Sequence, residues 1–518
     1  MEFDLYPGEC WWGGLICHAE KMPFDETTVY RADLLRDRRT QSAPLYLSNK
    51  GRYLWSEEPF SIAFDKGHVT VTSEYEVLLC EAGTSLRDAY LAAMKAHFPF
   101  ADDTYTERDF YRLPQFNTWM ELKKNQNQTD ILRYAHEVVE NGYEPGILLI
   151  DGGWQKCQGL WEPNPEMMPD PKGMVDELHA MGFRVMIWVS PFVCPEGQNF
   201  LDLYTQYAVE GKYDKPKYNH LLRRSTGDAA IQKWWSGFGA IYNFLLPDDR
   251  AHMASQLRHL MEDYGFDGFK FDGGSYMPQS FLTGTDFLGG YKVTDLNIAW
   301  IDFAASYPFN EVKDSWKQCG KPVVQRLFDK DHTWVGNGLD CLIPHGTFIG
   351  LIGSPFFCPD MVGSGQWTAF MRTACDEELF VRMAECSALF PMMQFSALPW
   401  RWLSKEGQRI CKKMADLHAA VYPDIERWLI HAEKTGEPII RSMEYQFPGC
   451  GYERLHTQFM LGDDILAAPV VVKGARTKEV FIPEGRWIDQ NTGKTYEGKS
   501  KITVEAPPDT LPWFRKVK

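Results

Sequence analysis

The chain has 518 residues, 44% of them hydrophobic and 14% aromatic, and a formal net charge of −16. That length exceeds what one hydrophobic core supports, so two or three domains are expected. The acidic balance, with no basic cluster to offset it, excludes nucleic acid and anionic membrane as expected partners.

Residues 1 to about 110 carry short alternating runs such as His68-Val69-Thr70-Val71-Thr72, which predict an N-terminal antiparallel β domain (1–110). From about 111 the texture changes to apolar strands alternating with helical stretches. The strands are Ile147 to Asp151, Arg184 to Ser190 and Gly268 to Asp272, and the helices run over Met174 to Met181 and Ala251 to Tyr264. Such alternation predicts parallel βα units and, over residues 111–425, a (β/α)8 TIM barrel. Residues from about 193 to 240 are too many for a tight loop and predict an insertion beside the barrel mouth. A helix from Glu406 to Tyr422 closes this region. Strands at Gln458 to Met460, Ile465 to Val472 and Val480 to Ile482 then predict a C-terminal β-sandwich domain over 426–518.

Several barrel strands end on a polar or aromatic residue. Ile147-Leu148-Leu149-Ile150 runs into Asp151, Val185-Met186-Ile187 into Trp188, Phe271 into Asp272, and Val323-Val324-Gln325 into Arg326. A lone Asp in such a place caps the next helix more often than it does chemistry. Acids, a base and Trp at the ends of several strands instead fit a sugar pocket. Carboxylates and Arg grip hydroxyls by charge-assisted hydrogen bonds, and Trp covers a ring face. Lys270 precedes Asp272 by two residues, so period-2 alternation puts the two on one face. A cation there is expected to keep the carboxylate ionised, as a nucleophile requires.

These motifs resemble glycoside hydrolase family 31, and within it the α-galactosidase branch. Gly265 to Gly274 is similar to the nucleophile strand, and Met174 to Phe183 to the helix and strand leading to the pocket Trp. Ser354 to Gly363 and Phe390 to Trp400 are similar to segments of that branch, and Gln458 to Asp463 with Ala468-Pro469-Val470 to the C-terminal β domain. The resemblance covers about residue 110 to the end, and Trp11-Trp12-Gly13-Gly14 extends it toward the N-terminus. It implies Asp272 as nucleophile, with Lys270 as its companion. Asp151, Trp188, Trp235, Arg326 and Asp360 are implied to bind the sugar, Trp235 being preferred to its neighbour Trp234. Pro359 stands where most of the family has His before the Asp, a departure shared by the α-galactosidase branch, so the substrate expected is an α-galactoside.

One position breaks the pattern. Retaining hydrolysis needs a second carboxyl about 5 Å from the nucleophile to protonate the leaving oxygen. Within His332-Thr333-Trp334-Val335-Gly336-Asn337-Gly338-Leu339-Asp340, the acid's place is held by Asn337. A carboxamide delivers no proton, which forfeits a contribution of roughly 10²–10⁴ in rate. Three readings stay open. Asn337 is an isosteric Asp-to-Asn change, whether natural or engineered; or Asp331 or Asp340 is the true acid; or the chain binds sugar without cleaving it. An ordinary turn residue before Gly338 is the plainest reading of Asn337.

Other chemistries lack support. No GxxxxGK[ST] or strand-coupled GxGxxG is present, and no His pair has zincin spacing. Schiff-base chemistry at Lys270 would need a neutral amine, which a charged Asp272 opposes. No metal or organic cofactor is expected. The 12 Cys are scattered singly and read as free thiols, and neither a signal segment nor an 18-residue apolar run is visible. The expectation is therefore a cytoplasmic retaining α-galactosidase acting on an α-linked oligosaccharide or glycoside, with α-glucoside, α-xyloside or N-acetylgalactosaminide as alternatives. Homo-oligomerisation stays open.

Overall fold

The structure, a computed structural model, describes residues 1–101, 104–197, 199–200, 203, 221–371 and 374–517. It divides into two compact units, Asn117–Trp316 and the pair of segments Met1–Phe116 and Lys317–Lys518.

In the unit Asn117–Trp316, four strands pair in parallel. Ile147–Ile150 lies beside Arg184–Val189, which lies beside Gly268–Phe271, which lies beside Asn310–Val312. All four residues of Ile147–Ile150 are buried, as a strand covered on both faces requires. The connections are helical. Pro171–Ala180 starts with Pro at its first turn, and the Asp170 side chain accepts the Gly173 amide at 2.9 Å, satisfying an otherwise orphaned donor. Met174, Val175 and Leu178 bury one face of that helix, each worth roughly 1.5–3 kcal/mol. Pro247–Tyr264 stops at Gly265, whose φ of +88° only a glycine adopts without cost. The strands and helices are those of a (β/α)8 barrel.

Register aligns the strand ends. Ile150 pairs with Ile187, and Trp188 with Lys270, so Asp151, Trp188 and Lys270 stand at one level across three neighbouring strands. Asp272 follows at the carboxyl end, where such barrels carry their chemistry. Of the insertion expected at about 193–240, the described part holds the hairpin of Gln232–Trp234 with Gly237–Ile241, which also pairs with Phe192–Val193. Residues 198, 201–202 and 204–220 lie outside the described residues.

The other unit carries antiparallel sheets at both ends of its sequence. One four-stranded sheet has the order Glu2–Asp4, His68–Thr72, Ser61–Asp65, Val29–Asp33. A second runs Trp11–Leu15, Ser42–Ser48, Arg52–Trp55, Leu78–Glu81. A six-stranded sheet and a two-stranded one near the C-terminus enclose Met443, Met460, Leu466, Val480, Trp487 and Phe514. Parallel pairs occur here too: Val324–Arg326 with Phe357–Cys358, and Gln394–Phe395 with both Met361–Val362 and Gln115–Phe116. The helix expected from Glu406 to Tyr422 extends over Lys405–Thr435. All 12 cysteines are free, and no helix of the described residues is long and apolar enough to cross a membrane.

Candidate active site

Within Asn117–Trp316, four of the residues singled out by sequence converge. Asp151 is 4% exposed and Lys270 is 2% exposed, and Lys270 Nζ donates to Asp151 Oδ2 at 2.7 Å. Two opposite charges buried together must be paired, because either one alone would carry an uncompensated desolvation cost. Lys270 thus has a partner that alternation did not indicate. Its ammonium pairs with Asp151, whereas Asp272 accepts from Trp188 Nε1 at 2.8 Å and from the Gly273 amide at 2.8 Å. The physical reason is reach, since a four-carbon stem crosses from its own strand past Trp188 to the acid at the same level.

Trp188 is oriented from several sides. Trp154 Nε1 donates to the Trp188 carbonyl at 2.8 Å, and Trp161 meets the Trp188 ring edge-on at 6.0 Å. Gly152 leaves room for the ring: a Cβ there would lie 3.1 Å from Trp188 Cδ2. The indole is thereby fixed with its one donor on the Asp272 carboxylate.

The turn after Asp272 is equally held. The Asp272 amide donates to the Val189 carbonyl at 2.9 Å. Gly273 and Gly274 both have positive φ, and a Cβ on either would strike Phe192 or Trp300. Asn297 Nδ2 donates to the Gly274 carbonyl at 2.8 Å and to Asp314 Oδ1 at 2.9 Å, and Ser275 Oγ donates to Asp314 Oδ2. Trp235 stands in the hairpin at 58% exposure, 4.9 Å from Trp234, which in turn packs on Phe192 at 4.2 Å. Both rings of the adjacent pair thus contact Phe192, Trp234 at 4.2 Å and Trp235 edge-on at 6.3 Å.

Arg326, Asp360 and Asn337 belong to the other unit and form their own cluster. Arg326, at the end of Val324–Arg326, donates through Nη1 to Asp360 Oδ1 and through Nη2 to Asp329 Oδ1 at 2.8 Å. Asp360 Oδ2 accepts the Lys330 amide at 2.6 Å. Asn337 has φ +73°, a left-handed conformation that Asn tolerates better than most residues. Its Nδ2 donates to the Asp329 carbonyl at 2.9 Å and to Asp331 Oδ2 at 3.3 Å, while its buried Oδ1 has no hydrogen-bond partner. The loop is pinned beside it. His332 Nε2 accepts the Asp376 amide at 2.8 Å, which leaves its Nδ1–H to donate to the Gly363 carbonyl at 2.7 Å. Asp340 sits in the first turn of Leu339–Leu351, where its carboxylate accepts the amides of Gly336 (2.9 Å) and Gly338 (3.2 Å).

Sequence reasoning missed Asp329, Asp314, Asn297, Trp154 and Trp161. Trp154 lies three residues after Asp151, and Asp329 three residues after Arg326. Asn297 and Asp314 left no signal, since their roles depend on contacts with residues far along the chain.

The chain matches two family models, "Glycosyl hydrolases family 31 TIM-barrel domain" over residues 113–287 and "Glycosyl hydrolase family 31 C-terminal domain" over residues 436–517. Among curated relatives, the myogenesis-regulating glycosidase of Mus musculus is 30% identical over 414 residues, covering 77% of this chain and 55% of that protein. The 1,3-alpha-isomaltosidase of Kribbella flavida is 24% identical, covering 73% of this chain and 52% of that protein. The chain thus spans about half the length of these two relatives. Among solved structures, a dextranase of Flavobacterium johnsoniae complexed with glucose superposes with a TM-score of 0.80 at 19% identity, covering 100% of this chain and 66% of that one. The fold class expected from sequence is that of this family: a TIM barrel with N-terminal antiparallel sheets and a β-rich C-terminal domain.

Proposed function

We propose that this chain, which belongs to glycoside hydrolase family 31, is a retaining α-glycoside hydrolase and that its substrate is an α-galactoside. The observation that carries the hydrolase reading is the Asp272 carboxylate at the end of a buried parallel strand, aimed by Trp188 and Gly273. In this reading one Asp272 oxygen attacks the anomeric carbon as the bond to the leaving oxygen breaks, and an acid protonates that oxygen. Water then displaces the carboxylate, restoring Asp272 and giving a product of retained configuration. Asp151, Lys270 and Trp188 bind the sugar by charge-assisted hydrogen bonds and ring contact. The galactoside assignment rests on Pro359 preceding Asp360. α-Xylosidase and isomaltosidase relatives keep α-xylosides and α-glucosides as the alternatives.

Position 337 is the acid's place in this proposal; as Asn it supplies no proton, so this chain would form the glycosyl-enzyme only with leaving groups that need none. The groups facing the Asn337 amide nitrogen, a carbonyl and a carboxylate, are both acceptors. An Asp in that place would have to keep its proton to donate to either of them, and a neighbouring carboxylate raises its pKa further. A protonated carboxyl at working pH is what a general acid must be.

The deciding experiment is hydrolysis of nitrophenyl α-galactoside, α-glucoside and α-xyloside by this chain and by Asn337→Asp. A gain of roughly 10²–10⁴ in kcat/KM is expected in the variant, largest on the galactoside. The gain should vanish in Asn337→Asp with Asp272→Ala. No gain, with activity in the parent chain that Asp331→Asn abolishes, would move the acid to Asp331. A second reading, a sugar-binding protein without turnover, is favoured by Asn337 alone. It predicts that dinitrophenyl glycosides, whose leaving group needs no acid, give no covalent intermediate on Asp272.

A further inference from the structure

Cys341 and His345 are four residues apart on Leu339–Leu351, so they share one face of that helix one turn apart. The 3-10 helix Ile16–Lys21 packs on the same helix and brings Glu20 alongside. The Glu20 carboxylate, the Cys341 thiol and a ring nitrogen of His345 offer ligand atoms that all lie within 4.8 Å of one another. His345 is 1% exposed and both of its ring nitrogens lack a hydrogen-bond partner. Glu20 Oε2 stands 3.5 Å from Nε2, at ion-pair distance and longer than the usual hydrogen bond. A fully buried imidazole with no close hydrogen bond, beside a thiol and a carboxylate, brings three metal-type donors toward one point.

We propose that Glu20, Cys341 and His345 bind one zinc-class divalent cation, which staples the 3-10 helix Ile16–Lys21 to Leu339–Leu351. The donor set decides the class of metal. Thiolate and imidazole suit zinc or cobalt, whereas magnesium and calcium take all-oxygen shells. Bonds of about 2.0–2.3 Å place neighbouring ligands about 3.3–3.8 Å apart, so the three groups need close in by only about 1 Å. Glu20 and the Cys341 thiolate supply two negative charges, which neutralise the ion despite the positive charge of Lys330 nearby. Glu20 reaches the surface and gives the ion an entry path, and water completes the fourth position. The thiol proton leaves to solvent as the metal–sulfur bond forms.

The test uses the full chain, stripped with chelator and titrated with Co²⁺ and then Zn²⁺. One equivalent of Co²⁺ should bind with a thiolate-to-cobalt charge-transfer band, which Zn²⁺ displaces. Cys341→Ser should lose the band, and His345→Asn and Glu20→Gln should weaken binding at least tenfold while circular dichroism shows the fold intact. Zinc should raise the thermal midpoint of the parent chain but not of Glu20→Gln. Absence of stoichiometric Co²⁺ binding to the parent chain overturns the proposal, as does a band that persists in folded Cys341→Ser. Should Cys341→Ser fail to fold, Glu20→Gln decides, because its side chain lies at the surface. Parent-like affinity in that variant overturns the site.

Discussion

At the scale of the residue, the Trp188–Asp272 hydrogen bond is the contact on which the proposed chemistry most depends. An indole N–H donated to a carboxylate is charge-assisted and worth about 1.5–3 kcal/mol when its partner is shielded from water. Trp188→Phe retains the ring against Gly152 and Trp161 but deletes that donor. The rate of glycosyl-enzyme formation from a dinitrophenyl α-glycoside should then fall roughly tenfold to a hundredfold, consistent with that energy. Intact-mass kinetics measures it directly, and an unchanged rate would remove Trp188 from the positioning of Asp272. The strand-end residues themselves were legible, because a buried apolar run that stops on Asp, Trp or Arg is visible in the sequence. The partner of Lys270 was not. Alternation gives the face a side chain leaves from, but a long stem chooses its acid from whatever lies at the same level on other strands.

At the scale of the element, Glu437 is the node that ties three pieces of one unit together. Its carboxylate accepts Arg87 Nε and Nη2 at 2.7 and 3.0 Å from the helix Leu86–His97. It also meets His431 Nε2 at 2.9 Å from the helix Lys405–Thr435 and accepts the Tyr445 hydroxyl at 3.0 Å. Burial works against the charge, yet the hydrogen bonds from Arg87 and His431 and the charge of Arg441 outweigh it and pull the carboxyl down to about 2. A folded-state value below the ordinary 4.5 stabilises at pH above 4.5 and is lost as pH falls toward 2. At roughly 1.36 kcal/mol per unit, the ceiling on this contribution is about 3 kcal/mol. Glu437→Gln should therefore lower the urea midpoint clearly at pH 7, and the gap to the parent chain should shrink when the measurement is repeated near pH 3.5. A gap that stays constant would mean that the loss is steric. The length of Lys405–Thr435 was misread for a related reason. Pro423 signals a stop because it lacks a donor and crowds the preceding turn. Here Ile425, Leu429 and Ala432 beyond it are buried, and Glu433 is gripped by Arg108 at 2.7 and 2.8 Å, so packing carries the helix through.

At the scale of the whole molecule, the division into β-rich ends and a βα-alternating middle could be read directly, because hydrophobic period changes where architecture changes. What could not be read was the set of long-range pairings. Asn297 with Asp314, and Arg87 with Glu437, join residues whose local sequence carries no trace of the partner. Those pairings also set how stability follows pH. Glu437 needs pH above its ordinary range, whereas Glu444 pulls the other way. Burial pushes Glu444 up to about 7 against the hydrogen bond it accepts from the Gly449 amide at 3.2 Å, and its other oxygen has no hydrogen-bond partner. A folded value above the ordinary 4.5 means that its contribution is fully present below pH 4.5 and is lost as pH rises through about 7. Glu385, also buried and raised to about 7 in spite of Arg382, acts in the same sense. Taken together, the contribution of these groups is greatest near pH 4.5 and declines as pH rises toward 7. Glu444→Gln keeps an acceptor for Gly449 and can never ionise. Its thermal midpoint should match the parent chain near pH 5 and exceed it at pH 8 by several degrees, flattening the alkaline arm of the profile. An equal midpoint at both pH values would show that Glu444 stays charged in the fold at no cost. The cation expected at Glu20, Cys341 and His345 leaves this comparison untouched, provided both proteins are measured with the same metal content.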